Sequence, residues 1–294
     1  MYYRRKILLA LLDSFGGSVG KIDLQKLLLL FTKFQSKPAF DFVPHRFGCY
    51  SFQSRLDMRA LKTYKLIDDT PQSWLLTSKD DYTGMLTQSD RDHLNYIKRQ
   101  YSSYSSDELI KETYLRYPYY ATRSELGARL LNDVQWEAIN KIRPNKQHTA
   151  LYTIGYEGVS IEAYFNKLLL NNIRVLCDVR RNPISQKAGF SKSDLRHICE
   201  ALSIQYIHKP ELGIPSDQRQ QLNTQQDYNT LFAQYSKNHL PENSQSIFEI
   251  YRLVQTNQRV ALTCFEASYC QCHRSQVANA VLNLPECEFD LIHI

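Results

Sequence analysis

No stretch of the chain is apolar for long enough to cross a bilayer: the runs at 7–12 and 27–31 fall far short of the ~20 residues required. Cysteine is sparse, with seven residues scattered at 49, 177, 199, 264, 270, 272 and 287. An odd, dispersed set excludes a disulfide scaffold, so free thiols in a reducing compartment are expected. The opening Met1-Tyr2-Tyr3-Arg4-Arg5-Lys6 precedes a short apolar run that stops at Asp13. It imitates a secretion signal but lacks apolar length and a small-residue cleavage site. The segment therefore reads as a helix of the folded protein, and the chain as cytoplasmic. With 43% hydrophobic and 22% charged residues, the composition excludes a disordered chain, a collagen and a coiled-coil rod. The 294 residues are enough for two domains.

Charge is uneven. Residues 1–150 hold 23 Lys and Arg against 16 Asp and Glu, whereas residues 151–294 hold 13 against 14. The surplus lies in the first half, where clustered cations would gain by releasing counterions from a polyanion. The plainer alternative is a mildly basic soluble domain.

Residues 3–15 place Tyr3, Ile7, Leu8, Leu11, Leu12 and Phe15 on one helical face, and Gly16-Gly17 ends that helix. Further helices are predicted over about 22–35 and about 53–65, separated by an aromatic, turn-punctuated stretch at 40–52. Trp74-Leu75-Leu76-Thr77 is a short strand. Helices followed by short strands on a basic background predict a winged helix-turn-helix over residues 1–87. Arg59, Lys62 and Lys65, on or beside the third helix, are its candidate nucleic-acid contacts, with duplex DNA the expected partner. A protein partner or a second copy of the chain remains the alternative, and no membrane is expected. Residues 88–149 read as a polar helical connector whose tyrosines either stack on bases or pack half-buried.

From residue 150 the pattern changes. Strands at 151–155, 174–178, 205–208, 259–264 and 289–293 alternate with helices. This predicts an α/β domain with a mostly parallel, Rossmann-like sheet flanked by helices, whose sites form at the carboxyl ends of strands.

Gly16-Gly17-Ser18-Val19-Gly20-Lys21 imitates a phosphate-binding loop. It fails because Phe15 and Ile22 stand where glycine and a hydroxyl residue are needed, and because it joins two helices. Three other features lie at strand ends. Ile154-Gly155-Tyr156-Glu157-Gly158 has glycines that allow close backbone approach. Asp178-Val179-Arg180-Arg181-Asn182-Pro183 offers an acid and two guanidinium groups, which either pair with one another or face an anion. The third feature runs from Cys264 through Glu266 to Cys270-Gln271-Cys272-His273-Arg274. Zinc is one reading of it, although the spacing is not a paired CxxC arrangement. A phosphatase loop fails, because Cys270 stands where its arginine would be. A ligand-binding or catalytic loop is the preferred reading. Cys272 at a helix N-terminus would be a thiolate, Glu266 and His273 would move protons, and Arg274 would hold an anion. In the plain alternative the thiols simply pack.

These motifs, with Glu211-Leu212-Gly213 after a short strand, resemble the domain-of-unknown-function family 488 over about residues 150–294. The resemblance carries over Gly155, Tyr156, Glu157, Asp178, Arg180, Pro183, Cys264, Glu266, Cys272, His273 and Arg274 as motif positions. The chain departs from the family at Ile214-Pro215-Ser216-Asp217. Leu24-Gln25-Lys26-Leu27-Leu28 with residues 40–50 resembles the Panacea (SocA-like) helical domains over about residues 1–80, which implies a toxin–antitoxin or phage-defence setting.

The expected function is a prokaryotic protein that binds nucleic acid and acts on, or recognises, a phosphorylated nucleotide-like group in its α/β domain. The expected catalytic set is Asp178, Glu266, Cys272 and His273. The ligand-binding set is Gly155, Tyr156, Glu157, Arg180, Arg181 and Arg274. No cofactor beyond the zinc reading is expected. The alternatives are a non-catalytic DNA-binding nucleotide sensor and an antitoxin-like interaction module.

Overall fold

The structure is a computed structural model that describes every residue except 216, 217, 219, 220, 221 and 223. Ser216 and Asp217 of the departing segment therefore lie outside the described residues. The chain divides into two compact units, Met1–Arg143 and Pro144–Ile294. Among the described residues, no helix is long and apolar enough to cross a membrane.

The first unit runs α1 (Tyr3–Ser14), β1 (Ser18–Gly20), α2 (Lys21–Thr32), β2 (Val43–His45), β3 (Gly48–Tyr50), α3 (Phe52–Thr63), β4 (Ile67–Asp69) and β5 (Ser73–Leu76). It continues through α4 (Gln88–Tyr101), α5 (Ser106–Arg116), α6 (Gly127–Leu130) and α7 (Asp133–Lys141). The turn expected between the first two helices contains β1, which joins an antiparallel sheet of order β1-β5-β4.

Every residue from Ile7 to Leu12 in α1 and from Leu24 to Thr32 in α2 is buried. A helix covered on all sides belongs at the centre of its unit, and each buried leucine there contributes about 1.5–3 kcal/mol. Such burial forces polar members to find partners. Lys26 is buried, and its Nζ donates to the carbonyls of Phe47 and Cys49 across the β2–β3 turn. Burial pulls its pKa down. Leu94, Ile97, Tyr101 and Leu109 of α4 and α5 join the same core as α1 and α2. Most of the stretch expected as a connector thus completes the first unit.

The second unit runs β6 (Ala150–Gly155), α8 (Ile161–Leu170), β7 (Val175–Asp178), α9 (Lys192–Ala201), β8 (Gln205–His208) and α10 (Gln225–Gln234). Then follow α11 (Leu240–Glu242), α12 (Ser244–Asn257), β9 (Arg259–Cys264), α13 (Arg274–Leu282) and β10 (Asp290–His293). The five strands form a wholly parallel sheet of order β10-β6-β9-β7-β8. In the dinucleotide-binding order the first two strands are neighbours; here β9 lies between them.

Strand side chains alternate between faces. Leu151, Val175, Cys177, Val260 and Leu262 pack with Ile247, Ile250 and Val254 of α12 and Val277 and Val281 of α13. The opposite parity meets α8, whose Tyr164 hydroxyl donates to Thr263 Oγ1 at 2.8 Å. The sheet is therefore covered on both faces, as the buried patterns of β6, β7 and β9 require.

Candidate functional site

Parallel register decides which side chains meet at the carboxyl edge. Gly155 lies beside Cys264, Asp178 beside both Thr263 and His208, and Thr153 beside His293. The three motif loops leave these strands and lock onto one another. The amides of Tyr156 and Glu157 both donate to the Phe265 carbonyl, at 3.1 and 2.9 Å. The Ala267 amide donates to Glu157 Oε2 at 3.0 Å. A Cβ on Gly155 would lie 1.9 Å from the Glu266 carbonyl oxygen, and one on Gly213 would lie 2.1 Å from the Arg181 amide nitrogen. Both motif glycines serve the approach of one loop to another; for Gly155 this replaces the expected role of admitting a ligand.

Over one face of the sheet, Asp178 and Arg180 form a buried ion pair. Arg180 Nε donates to Asp178 Oδ1 at 2.8 Å and Nη2 to Oδ2 at 2.6 Å. Its Nη1 donates to the Tyr156 hydroxyl at 2.7 Å and to the Phe190 carbonyl at 3.0 Å. The Tyr156 ring stacks on Phe190 with centroids 4.4 Å apart. The Tyr206 hydroxyl donates to Asp178 Oδ2 at 2.7 Å. Burial opposes the charge on Arg180, but the carboxylate overcomes it and raises the guanidinium pKa. Arg180 and Tyr156 thus tie loops together instead of facing an anion. Tyr206 and Phe190 complete this network and went unnoticed in the sequence, where a lone tyrosine in a short strand carries no signal.

Cys264 follows Thr263 and so points to the other face, toward α13. There Cys264, Cys272 and His273 are all buried, and one ligand atom from each lies within 4.8 Å of the others. Cys264 Sγ is 3.7 Å from His273 Nδ1 and donates to Glu266 Oε2 at 3.2 Å. His273 Nε2 lies 2.9 Å from the Val179 carbonyl oxygen, a contact that only a protonated Nε2 can make. Strand alternation therefore separates Asp178 from Glu266, Cys272 and His273, the residues with which the sequence pattern groups it as catalytic.

Burial pushes the Cys272 thiol well above its ordinary pKa, and neighbouring Cys264 adds to the effect. Position does not supply the helix-stabilised thiolate expected from the sequence: α13 starts at Arg274, and Cys272 precedes its N-cap, His273. Arg274 is buried, with Nη1 donating to the Glu266 carbonyl and Nη2 to the Ala267 carbonyl at 3.0 Å. It too shapes the loop. Its Nε is a buried donor without a partner among the described residues.

Around the buried thiols the surface is aromatic and basic. Phe265 and Tyr269 are exposed, Tyr269 stacks flat on His293 at 3.8 Å, and Arg181 is exposed. Lys187 Nζ donates to the Tyr156 carbonyl at 2.9 Å. In the first unit, Arg59 and Lys65 are exposed, whereas Lys62 is ion-paired with Asp68 at 3.1 Å and with Asp69.

Residues 160–281 match the family model described as Domain of unknown function DUF488. The Gly155 motif lies just ahead of the matched segment. No curated protein matches the chain.

Proposed function

We propose, for a chain whose second unit carries a DUF488 domain, that the first unit binds duplex nucleic acid and the second recognises or acts on a nucleotide-like group at its sheet edge. The order α1–β1–α2–β2–β3–α3–β4–β5, with sheet order β1-β5-β4 and the β2–β3 hairpin inserted ahead of α3 as a separate two-stranded sheet, supports the winged-helix reading, in which the helix before the last two strands enters the major groove. That helix is α3, and it presents Arg59. Lys65, just past its end, is a second cation. Lys62 is already neutralised by Asp68 and Asp69, so it contributes less.

The single observation that carries the second half of the reading is the pair of exposed rings, Phe265 and Tyr269. They flank the buried Cys264–Cys272–His273 cluster at the edge where parallel sheets bind ligands. Base stacking on an aromatic ring contributes about 1–3 kcal/mol per base, and Arg181 at the same edge suits a phosphate. One observation favours a sensor over an enzyme: Arg180 and Arg274 make their hydrogen bonds to the protein itself.

The test uses the full chain. Affinity for duplex DNA should fall steeply with salt. An Arg59→Glu/Lys65→Glu variant should bind more weakly with a shallower salt slope, and Lys62→Glu should change binding less. Turnover or retention of a nucleotide should fall at least tenfold in Phe265→Ala/Tyr269→Ala. Absence of DNA binding at low salt overturns the first half, and an unchanged aromatic variant overturns the second.

A further inference from the structure

We infer that Cys264, Cys272 and His273 bind zinc as its three protein ligands. The inference goes beyond the nucleic-acid reading and does not depend on it. Spacing along the chain argues against zinc because no paired CxxC is present. The fold removes that objection by bringing Cys264 from the end of β9 against Cys272 and His273 at the start of α13.

Three features converge. The donor set is two thiols and an imidazole, the combination that borderline-soft zinc favours over magnesium or calcium. Bond lengths of about 2.3 Å to sulfur and about 2.0–2.1 Å to nitrogen place tetrahedral ligand atoms about 3.5–3.8 Å apart. Cys264 Sγ and His273 Nδ1 are 3.7 Å apart, and the three ligand atoms lie within 4.8 Å of one another.

The imidazole is also oriented for the role. Its Nε2 is committed to the Val179 carbonyl, which leaves the Nδ1 lone pair turned toward the sulfur. A carbonyl behind a ligating histidine fixes tautomer and ring plane in this way. Binding of Zn²⁺ releases the two thiol protons to solvent, and no redox partner is required.

The rival account is a cluster of neutral thiols hydrogen-bonded to imidazole and carboxylate. Metal analysis of the purified full chain distinguishes the two, and so does titration of the chelator-treated chain with Co²⁺. The expected result is about one zinc per chain. Cobalt should restore one equivalent of tetrahedral metal, with the near-ultraviolet thiolate-to-cobalt band that two cysteine ligands produce. Cys264→Ser, Cys272→Ser and His273→Gln should each lose that band or weaken binding at least tenfold, while Cys270→Ser, an exposed thiol in the same loop, should retain it. If the single variants fail to fold, the wild-type cobalt titration alone decides. A full chain that is free of transition metal and develops no thiolate–cobalt band overturns the proposal, as does a band lost in Cys270→Ser and kept in Cys264→Ser.

Discussion

Arg180 turns back onto Asp178, two residues earlier, and holds both of its carboxylate oxygens within 2.8 Å. The two groups are 6% and 0% exposed, so neither charge is left to water. Burying such a pair is costly, and a single surviving partner costs far more. Arg180→Met should therefore destabilise the second unit by about 3–5 kcal/mol, read as a lower urea midpoint for the transition of that unit. Arg180→Met/Asp178→Asn should recover part of the loss, because the orphaned charge is gone. A single variant as stable as the wild type would remove the structural role assigned to the pair.

The loop contact at Gly155 makes a steric prediction. A methyl there would meet the Glu266 carbonyl oxygen at 1.9 Å, a backbone atom that cannot swing aside. Gly155→Ala should cost about 1–3 kcal/mol through overpacking and should loosen the loop carrying Glu266, seen as faster amide exchange at residues 265–267. Unchanged exchange and thermal midpoint would show that the loops have room to separate.

The thiols should react in order of exposure. Cys270 is exposed, while Cys264 and Cys272 are 0% and 1% exposed. In the native chain at neutral pH, a maleimide should label Cys270 first and reach Cys264 and Cys272 only on unfolding, because a thiol must be both accessible and ionised to react. Mass mapping of the labelled peptides checks this; early labelling of Cys272 would contradict its placement.

His45 supplies a pH dependence for the first unit. Burial first, and nearby Arg46 second, lower its pKa from 6.5 to about 4. It stacks on Tyr50 with centroids 4.8 Å apart. The fold prefers the neutral ring, so its contribution is fully present above pH 6.5 and is lost as pH falls toward 4. Urea midpoints measured across that window should decline more steeply for the wild type than for His45→Gln. Parallel slopes would assign the acid sensitivity elsewhere.

Much of the second unit was legible because each buried strand is a short apolar run bounded by turn residues, as in Val260-Ala261-Leu262. The motif positions Gly155, Cys264, Cys272, His273 and Arg274 were legible as a set for the same reason: each lies next to a strand or helix end. What they touch was not. One residue of phase separates Asp178 from Cys264 across β7 and β9, and register is a property of pairing that no single strand encodes. β1 was missed because Ser18-Val19-Gly20 is stabilised by β5, more than fifty residues away in sequence. Tyr206, Phe190 and the Val179 carbonyl likewise act through partners distant in the chain.

A chain emerging from the ribosome cannot build this sheet in the order in which it is made. Among the described residues β6 pairs with β9 and β10, and β7 is joined to β6 through β9. Until residues 259–264 arrive, β6 is an apolar strand without neighbours, and the β7–β8 pair keeps one edge open. Unpaired apolar edges are templates for the wrong partner. The position of β9 thus makes its delivery the committing step in assembly, and holds a long stretch of nascent chain in need of shelter until that strand slots into the middle.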